Sequence, residues 1–79
     1  MAWNKGVHPI DTHVGRQLCV QRLSVSLSRE QLAAKVNLTP SIIQRYENGV
    51  ERISAATLYL LSRALNVPVS YFFDGFVHP

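Results

Sequence analysis

The sequence has little cysteine and no long apolar run. Cys19 is the single cysteine among 79 residues, which excludes a disulfide framework within the chain. No apolar stretch approaches the ~20 residues that span a bilayer, and the N-terminus lacks the basic-then-apolar pattern of a signal peptide. We therefore expect one small cytoplasmic domain that is stabilised by packing.

Patterns for metal binding and catalysis are also missing. His8, His13, His78 and Cys19 show no zinc-ligand spacing on a shared element. The sequence contains no nucleophile–base pair, carboxylate pair or glycine-rich phosphate loop, and a chain this short cannot enclose a deep pocket. We predict no enzyme activity, no cofactor and no metal.

The charge balance is mildly basic. The formal net charge is +3 and the sequence pI is about 9.5. This balance is compatible with a polyanionic partner, but an ordinary soluble domain with a slight positive charge explains it equally well. Only the positions of the charges along the chain can therefore indicate nucleic-acid binding.

The most informative stretch is residues 27–49, LSREQLAAKVNLTPSIIQRYENG, which predicts two short helices joined by a tight turn. Ser28 and Gln31 form a capping-box pattern at the start of the first helix. Asn37 suits the left-handed conformation of a helix end. The apolar residues of this first helix recur at helical spacing: Leu32, Ala33 and Val36.

The second of these helices has two different faces. Thr39 is the predicted N-cap, Pro40 is the first helical residue, and Gly49 ends the helix. At about 100° per residue, one side carries Ile43, Tyr46 and the stem of Glu47. The outward side carries group types that read base edges in a major groove. These outward residues are Ser41, Arg45 and Asn48, with Ile42 and Gln44 on the flanks.

Helices are also predicted on both sides of this stretch. The first runs from about Asp11 to Val25, and Gly15 inside it indicates close packing because glycine is otherwise unfavourable in a helix. Its apolar stripe is uneven: Val14, Leu18, Val20 or Gln21, and Val25. Ser54 caps a helix over about 55–65, and Ser70 caps a short last helix over 71–74.

These predictions give two segments. Residues 1–10 are predicted to be a flexible N-terminal arm. Lys5 in this arm is either a contact to DNA or part of a disordered tail. Residues 11–79 form the helical domain, with a C-terminal dimerisation segment. No internal repeat and no strand alternation of useful length occurs, so the fold class is all-α.

The chain resembles the lambda-repressor-like, Cro/cI-type (XRE-type) helix-turn-helix family. The resemblance rests on Leu-Ser-x-x-x-Leu-Ala-x-x-Val-x-Leu-Thr followed by Ile-x-x-Tyr-Glu-Asn-Gly. It extends to Val-Gly-Arg at 14–16 and to Leu-Asn-Val-Pro-Val-Ser-Tyr-Phe-Phe at 65–73, so it covers about residues 11–74. It implies a compact five-helix DNA-binding domain.

The resemblance also implies site residues. In this family an arginine at the Arg22 position pairs with a glutamate at the Glu47 position. The second helix of the helix-turn-helix motif reads bases, and Pro40 departs from the family by offering only apolar contact. The implied base contacts are Pro40, Ser41, Ile42, Gln44 and Arg45. The expected phosphate contacts are Arg16, Ser28, Arg29, Asn48 and Arg52.

Two further departures from the family pattern are visible. Arg29 stands where glutamine is common, and its full charge still suits a phosphate. Ser26 stands where glycine is common, at the corner that leads into the helix-turn-helix motif.

Dimerisation is the second inference. The C-terminal end is rich in aromatic residues, and their apolar surface exceeds what a small core readily buries. The family also usually binds pseudo-palindromic sites, which suit a dimer. The predicted interface residues are Leu60, Tyr71, Phe72 and Phe76. The alternative is that Phe72 and Phe73 close the core of the monomer, and a combination of both is expected.

The predicted function is that of a sequence-specific DNA-binding transcriptional regulator. We expect a homodimeric repressor, or a restriction–modification controller as a special case, that binds a pseudo-palindromic site on double-stranded DNA. The alternative is an antitoxin-type interaction module that neutralises a partner protein and binds DNA secondarily. A stoichiometric protein partner in the purified material would favour this alternative.

Overall fold

The computed structural model describes residues 8–77, and the regular secondary structure in that part is all helical. Four α-helices are followed by a C-terminal 3-10 helix, so the prediction of five α-helices is wrong for the last element. The bounds are Pro9–Ser24 for α1, Arg29–Val36 for α2, Pro40–Glu47 for α3, Ala55–Leu65 for α4 and Val69–Phe73 for the 3-10 helix.

Helix α1 begins two residues before the predicted Asp11. Pro9 is its first residue, and the side chain of His8 caps it by accepting a hydrogen bond from the Ile10 backbone N–H at 3.2 Å. The end of the predicted arm is therefore the first turn of α1. The cap was missed because histidine is not among the usual N-cap residues. The prediction for Lys5 lies outside the described residues.

The local signals of the helix-turn-helix stretch are confirmed. Ser28 and Gln31 exchange both hydrogen bonds of the capping box. Asn37 is left-handed with φ of 58°, and its C-capping backbone N–H bonds to Ala33. The Thr39 side chain accepts from the backbone N–H of Ile42 at 3.3 Å. These caps satisfy backbone groups that would otherwise lack partners at the helix ends.

The core lies between all five elements, with Phe72 from the 3-10 helix fully buried in it. Of the two alternatives for the α1 stripe, Gln21 is partly buried and Val20 is exposed, whereas the prediction is wrong for Val25, which is exposed, while Arg22 is buried. The tertiary contact of Arg22 described below explains this exchange. The buried apolar residues are Val14, Leu18, Leu32, Ala33, Val36, Ile43, Tyr46, Leu58, Leu61, Leu65 and Phe72.

Gly15 sets the distance between α1 and α3. A β-carbon at this position would lie 2.8 Å from the Glu47 carbonyl oxygen and closer still to that of Tyr46. Because both obstacles are backbone atoms, only glycine allows the two helices to approach this closely. The close packing predicted for Gly15 is therefore confirmed, and this contact positions α3 on the domain.

Helix α4 has the predicted bounds, but the 3-10 helix starts earlier than expected. It begins at Val69 after Pro68, and no side chain caps it, so the prediction that Ser70 is a cap is wrong. Pro68 already restricts the backbone at this point and has no N–H, which removes the need for one cap bond. The 3-10 helix packs mainly against α1.

Three polar side chains of α1 hold the C-terminal segment. His13 Nε2 donates to the Asp74 carbonyl at 2.8 Å, Gln17 Nε2 to that of Tyr71 at 3.1 Å, and Gln21 Nε2 to that of Leu65 at 3.1 Å. The hydroxyl of Tyr71 donates back to the Gln17 carbonyl at 3.0 Å. The donors are four residues apart and share one face of α1. This spacing was the signal that the sequence offered for the contact.

None of the helices in residues 8–77 is long and apolar enough to cross a membrane.

Candidate nucleic-acid interface

Helix α3 has one buried face and one exposed face. Ile43 and Tyr46 are buried, and the Glu47 side chain is 2% exposed. Pro40, Ser41, Gln44, Arg45 and Asn48 are exposed, and Ile42 is partly buried against the core. Four of the five predicted base-contacting residues therefore lie on the outside of α3. Ile42 lies on its flank.

The Glu47 carboxylate is the centre of the polar contacts behind α3. Arg22 Nε donates to Glu47 Oε2 at 2.6 Å, and Arg22 Nη2 donates to Glu47 Oε1 at 3.2 Å. Arg22 Nη1 also donates to the Leu27 carbonyl at 2.9 Å. The hydrogen bonds to Glu47 raise the pKa of the Arg22 guanidinium above its ordinary value. The contact joins α1, the loop before α2, and α3.

Arg29 binds the same carboxylate from the start of α2. Its Nε donates to Glu47 Oε1 at 3.0 Å, and its side chain is 39% exposed. One buried carboxylate thus faces two guanidinium groups, which leaves a net positive charge at the surface beside α3. Sequence reasoning assigned Arg29 to a phosphate and did not foresee its contact with Glu47.

Arg45 is held by a residue that sequence reasoning did not assign. Glu51 Oε1 accepts from Arg45 Nε at 3.1 Å and lies 3.0 Å from Arg45 Nη2. The two side chains are 56% and 40% exposed. Their separation crosses the end of α3, so the i, i+4 rule for helical pairs could not reveal the contact.

Arg52, a predicted phosphate contact, binds α1 in this structure. Its Nε and Nη2 donate to the two carboxylate oxygens of Asp11 at 3.0 and 3.1 Å. These hydrogen bonds raise the pKa of Arg52 above its ordinary value. The pair fastens the loop after α3 to the first turn of α1. Among the other predicted phosphate contacts, Arg16 and Asn48 are exposed, and Ser28 caps α2.

The predicted dimer residues fall in different environments. Phe72 is completely buried in the core of the monomer, so its assignment to an interface is wrong. Tyr71 is partly buried and bonded to Gln17, and Phe76 packs edge-to-face on His13 with ring centroids 5.4 Å apart. Leu60 is half exposed. Other exposed apolar residues of α4 and the 3-10 helix are Tyr59, Val69 and Phe73.

Comparison with known proteins agrees with this geometry. The family model described as "Helix-turn-helix" matches residues 21–72, which include α2, α3, α4 and most of the 3-10 helix. The matched region contains the Arg22–Glu47 contact and the exposed face of α3. It is most of the domain.

Two curated relatives are similar over most of the chain. An uncharacterized HTH-type transcriptional regulator of Sinorhizobium medicae is 41% identical over 70 residues, which are 89% of this chain and 50% of the relative. An uncharacterized transcriptional regulator in the ATPase CF(0) region of Rhodospirillum rubrum is 42% identical over 68 residues, which are 86% of this chain and 63% of the relative. The chain thus spans between half and two thirds of the length of these relatives.

A solved structure has the same fold. The restriction-modification controller protein C.AhdI from Aeromonas hydrophila superposes with a TM-score of 0.77 at 27% identity, over 80% of this chain and 96% of that one. The resemblance noted in the sequence is therefore confirmed by the curated relatives and by the solved structure. Together with the extent of the family match, it shows that this chain belongs to the XRE-type helix-turn-helix family of DNA-binding transcriptional regulators.

Proposed function

We propose that this chain is a sequence-specific transcriptional regulator that inserts α3 into the major groove of double-stranded DNA. The observation that carries the proposal is the exposed face of α3. Ser41, Gln44 and Arg45 point outward from a helix whose opposite face is held by the buried Glu47. A rigidly mounted helix with a hydroxyl, an amide and a guanidinium on its outer face suits base recognition.

Each proposed base-contacting side chain has a chemical role. Arg45 bonds guanine O6 and N7 with two donors, and Gln44 forms the analogous pair with adenine. Ser41 bonds a base edge as donor or acceptor. Ile42 and Pro40 have no polar side-chain atom and contact a thymine methyl group. Arg45 carries most of the discrimination, because its contact to guanine is bidentate and charge-assisted.

Phosphate groups are held at the start of α2 and around the end of α3. Arg29 offers a guanidinium at the N-terminus of α2, where the backbone N–H groups and helix dipole also favour an anion. Asn48 and Arg16 are exposed and can bind the flanking phosphates. Arg52 takes part only if DNA displaces Asp11 or shares the guanidinium with it.

The proposal includes a symmetric dimer that binds two half-sites about 34 Å apart. Exposed apolar side chains on α4 and on the 3-10 helix, which also contacts α4, support this part, and Leu60 and Phe73 are the central candidates. Repression is the simplest mode of regulation, since occupying a promoter needs no further surface. Control of a restriction–modification operon is a special case, which the similarity to C.AhdI supports. The protein would act in the cytoplasm.

The first test is selection of duplexes from a random pool, followed by affinity measurements across a salt series. We expect a two-fold symmetric site, and Arg45→Ala should relax one base position in each half-site at a cost of roughly 1–3 kcal/mol. Arg63→Ala removes the same charge from the exposed face of α4 and is the matched control. It should leave the selected sequence unchanged.

Phosphate binding has a different signature. Arg29→Gln should weaken binding to all sequences and reduce the slope of log affinity against log salt by about one. Weak, steeply salt-dependent and sequence-independent binding by the wild type would contradict the proposal. A stoichiometric protein partner would then favour the antitoxin alternative.

The dimer is tested by sedimentation over a concentration series. Leu60→Glu should shift the protein toward the monomer, because it places a charge in the apolar contact. Val20→Glu changes an equally exposed apolar residue on α1 and should leave the mass unchanged. A wild type that stays monomeric at high concentration would contradict the dimer and leave DNA binding by α3 intact.

A further inference from the structure

We propose that Glu51 is a specificity-determining residue that positions Arg45 for base recognition. Its carboxylate holds one edge of the guanidinium and turns the other edge toward a guanine. The inference rests on the proposed function, because it concerns how Arg45 reads a base. It assigns a role to the loop after α3, which lies outside the proposed base-reading face.

The contact geometry leaves Arg45 able to bind a base. Glu51 Oε1 accepts from Nε at 3.1 Å and lies 3.0 Å from Nη2, so one oxygen occupies one edge of the guanidinium. A guanidinium carries five N–H donors in a planar fork. The two Nη1 donors and the second Nη2 donor therefore face away from Glu51. Two of them match the spacing of guanine O6 and N7, so guanine and Glu51 do not compete for the same donors.

The loop that carries Glu51 is fixed next to Arg45. Gly49 adopts a left-handed φ of 76°, which turns the chain back along α3. The Val50 backbone N–H then donates to the carbonyl of Arg45 itself at 3.2 Å. A β-carbon on Gly49 would lie 2.9 Å from the Thr12 α-carbon, so this turn also sits tightly on α1.

The residue after Glu51 anchors the other side of the loop. Arg52 is bound to Asp11 by two hydrogen bonds, at 3.0 and 3.1 Å. Glu51 thus lies between a backbone bond to α3 and a two-point ion pair to α1. A carboxylate held in this way can restrain a long side chain, whereas one on a free loop would follow it.

The pair acts through preorganisation and charge. Because both side chains remain accessible to solvent, the contact contributes little to folding stability. It restricts the Arg45 side chain before binding, which reduces the ordering cost on complex formation. It also offsets the Arg45 charge, so that Arg45 adds less to the attraction of any phosphate backbone. Both effects favour the specific site over random DNA.

The experiment compares Glu51→Gln with Glu30→Gln, singly and with Arg45→Ala. Glu30 is an exposed acid in the first turn of α2, so the control makes the same charge change elsewhere in the helix-turn-helix motif. We expect Glu51→Gln to lower the ratio of operator to random-DNA affinity roughly tenfold, which is within the range of one base contact. The base preference should relax only at the position read by Arg45.

The double mutant isolates the mechanism. In the Arg45→Ala background, Glu51→Gln should cause no further loss of specificity, since the residue it positions is gone. Glu30→Gln should leave the affinity ratio unchanged in both backgrounds. Thermal unfolding of Glu51→Gln should match the wild type, which excludes misfolding as the cause.

Two results would overturn the inference alone while the wild type still selects a site. In one, Glu51→Gln strengthens binding to operator and random DNA equally, as removal of simple phosphate repulsion would. In the other, its specificity loss persists in the Arg45→Ala background. A wild type that selects no site would overturn the proposed function and this inference together.

Discussion

Arg22 and Glu47 bury an ion pair between α1 and α3, with Nε and Oε2 2.6 Å apart and side chains only 8% and 2% exposed. Removing two charges from water is costly, and the pair is stable there because further groups satisfy it. Arg29 donates a third hydrogen bond to the carboxylate, and the Leu27 carbonyl accepts one from Arg22. The buried face of α3, the proposed base-reading helix, is thus bound to the rest of the domain by these polar contacts.

Glu47→Gln should be strongly destabilising. The amide cannot balance the Arg22 charge, and breaking a buried pair on one side typically costs about 3–5 kcal/mol. Urea denaturation measures the change in the free energy of unfolding. Glu51→Gln at the exposed Arg45 pair is the control and should cost less than about 1 kcal/mol. If Glu47→Gln changed the free energy of unfolding by only a few tenths of a kcal/mol, the pair would not be buried in solution.

Gly15→Ala should destabilise the fold although alanine favours helices. The added carbon meets the backbone carbonyls of Tyr46 and Glu47, which cannot move without shifting α3. Overpacking of this kind costs about 1–3 kcal/mol, and the helix-propensity gain of up to ~1 kcal/mol offsets only part of a large cost. Arg16→Ala, at the exposed neighbouring position, should change stability by less than about 0.5 kcal/mol. Increased stability of Gly15→Ala would refute the close approach of the two helices.

Ser26→Gly should stabilise the protein. Ser26 has a φ of +60°, a left-handed conformation that is unfavourable for residues with a β-carbon. After subtracting the extra entropy of glycine in the unfolded chain, we expect a gain of about 0.5–1 kcal/mol in thermal or urea unfolding. Ser24→Gly makes the same substitution in the last residue of α1 and should be destabilising. Equal effects at both positions would contradict the conformational explanation.

Stability should fall at alkaline pH through Tyr71. Burial, with a contribution from Asp74, raises the pKa of the Tyr71 phenol above its ordinary value of 10.0. The folded state therefore keeps this proton more tightly than the unfolded chain. The stabilisation that the protonated Tyr71 phenol provides is complete below the pKa of this phenol in the unfolded chain. It is lost as the pH rises through the pKa of the phenol in the folded protein.

Tyr71→Phe tests this contribution. The variant loses the hydrogen bond to the Gln17 carbonyl, at about 1 kcal/mol near neutral pH. Its stability should then decline less than that of the wild type above about pH 10. Tyr59→Phe makes the same substitution at an exposed tyrosine and is the matched control. Parallel pH curves for Tyr71→Phe and the wild type would show that another group causes the alkaline loss.

Much of the fold could be predicted because its signals are local. Ser28, Thr39 and Ser54 cap the helices that follow them, and Asn37 and Asn66 end helices in the left-handed conformation. These preferences act within a few residues and do not depend on the rest of the fold. The exposed face of α3 was predictable for the same reason, since helical geometry alone separates Arg45 from Ile43.

The tertiary structure decided which charges meet and which aromatic ring is buried. The pairs Arg52–Asp11 and Arg45–Glu51 depend on the turn at Gly49 and on how it sits against α1, so no sequence spacing specifies them. Phe72 enters the core and Phe73 stays exposed because α1 binds the backbone of the 3-10 helix through Gln17 and the residues on either side of that helix through His13 and Gln21. Short-range preferences determine where each helix begins and ends, whereas long-range packing determines which residues of other elements it contacts.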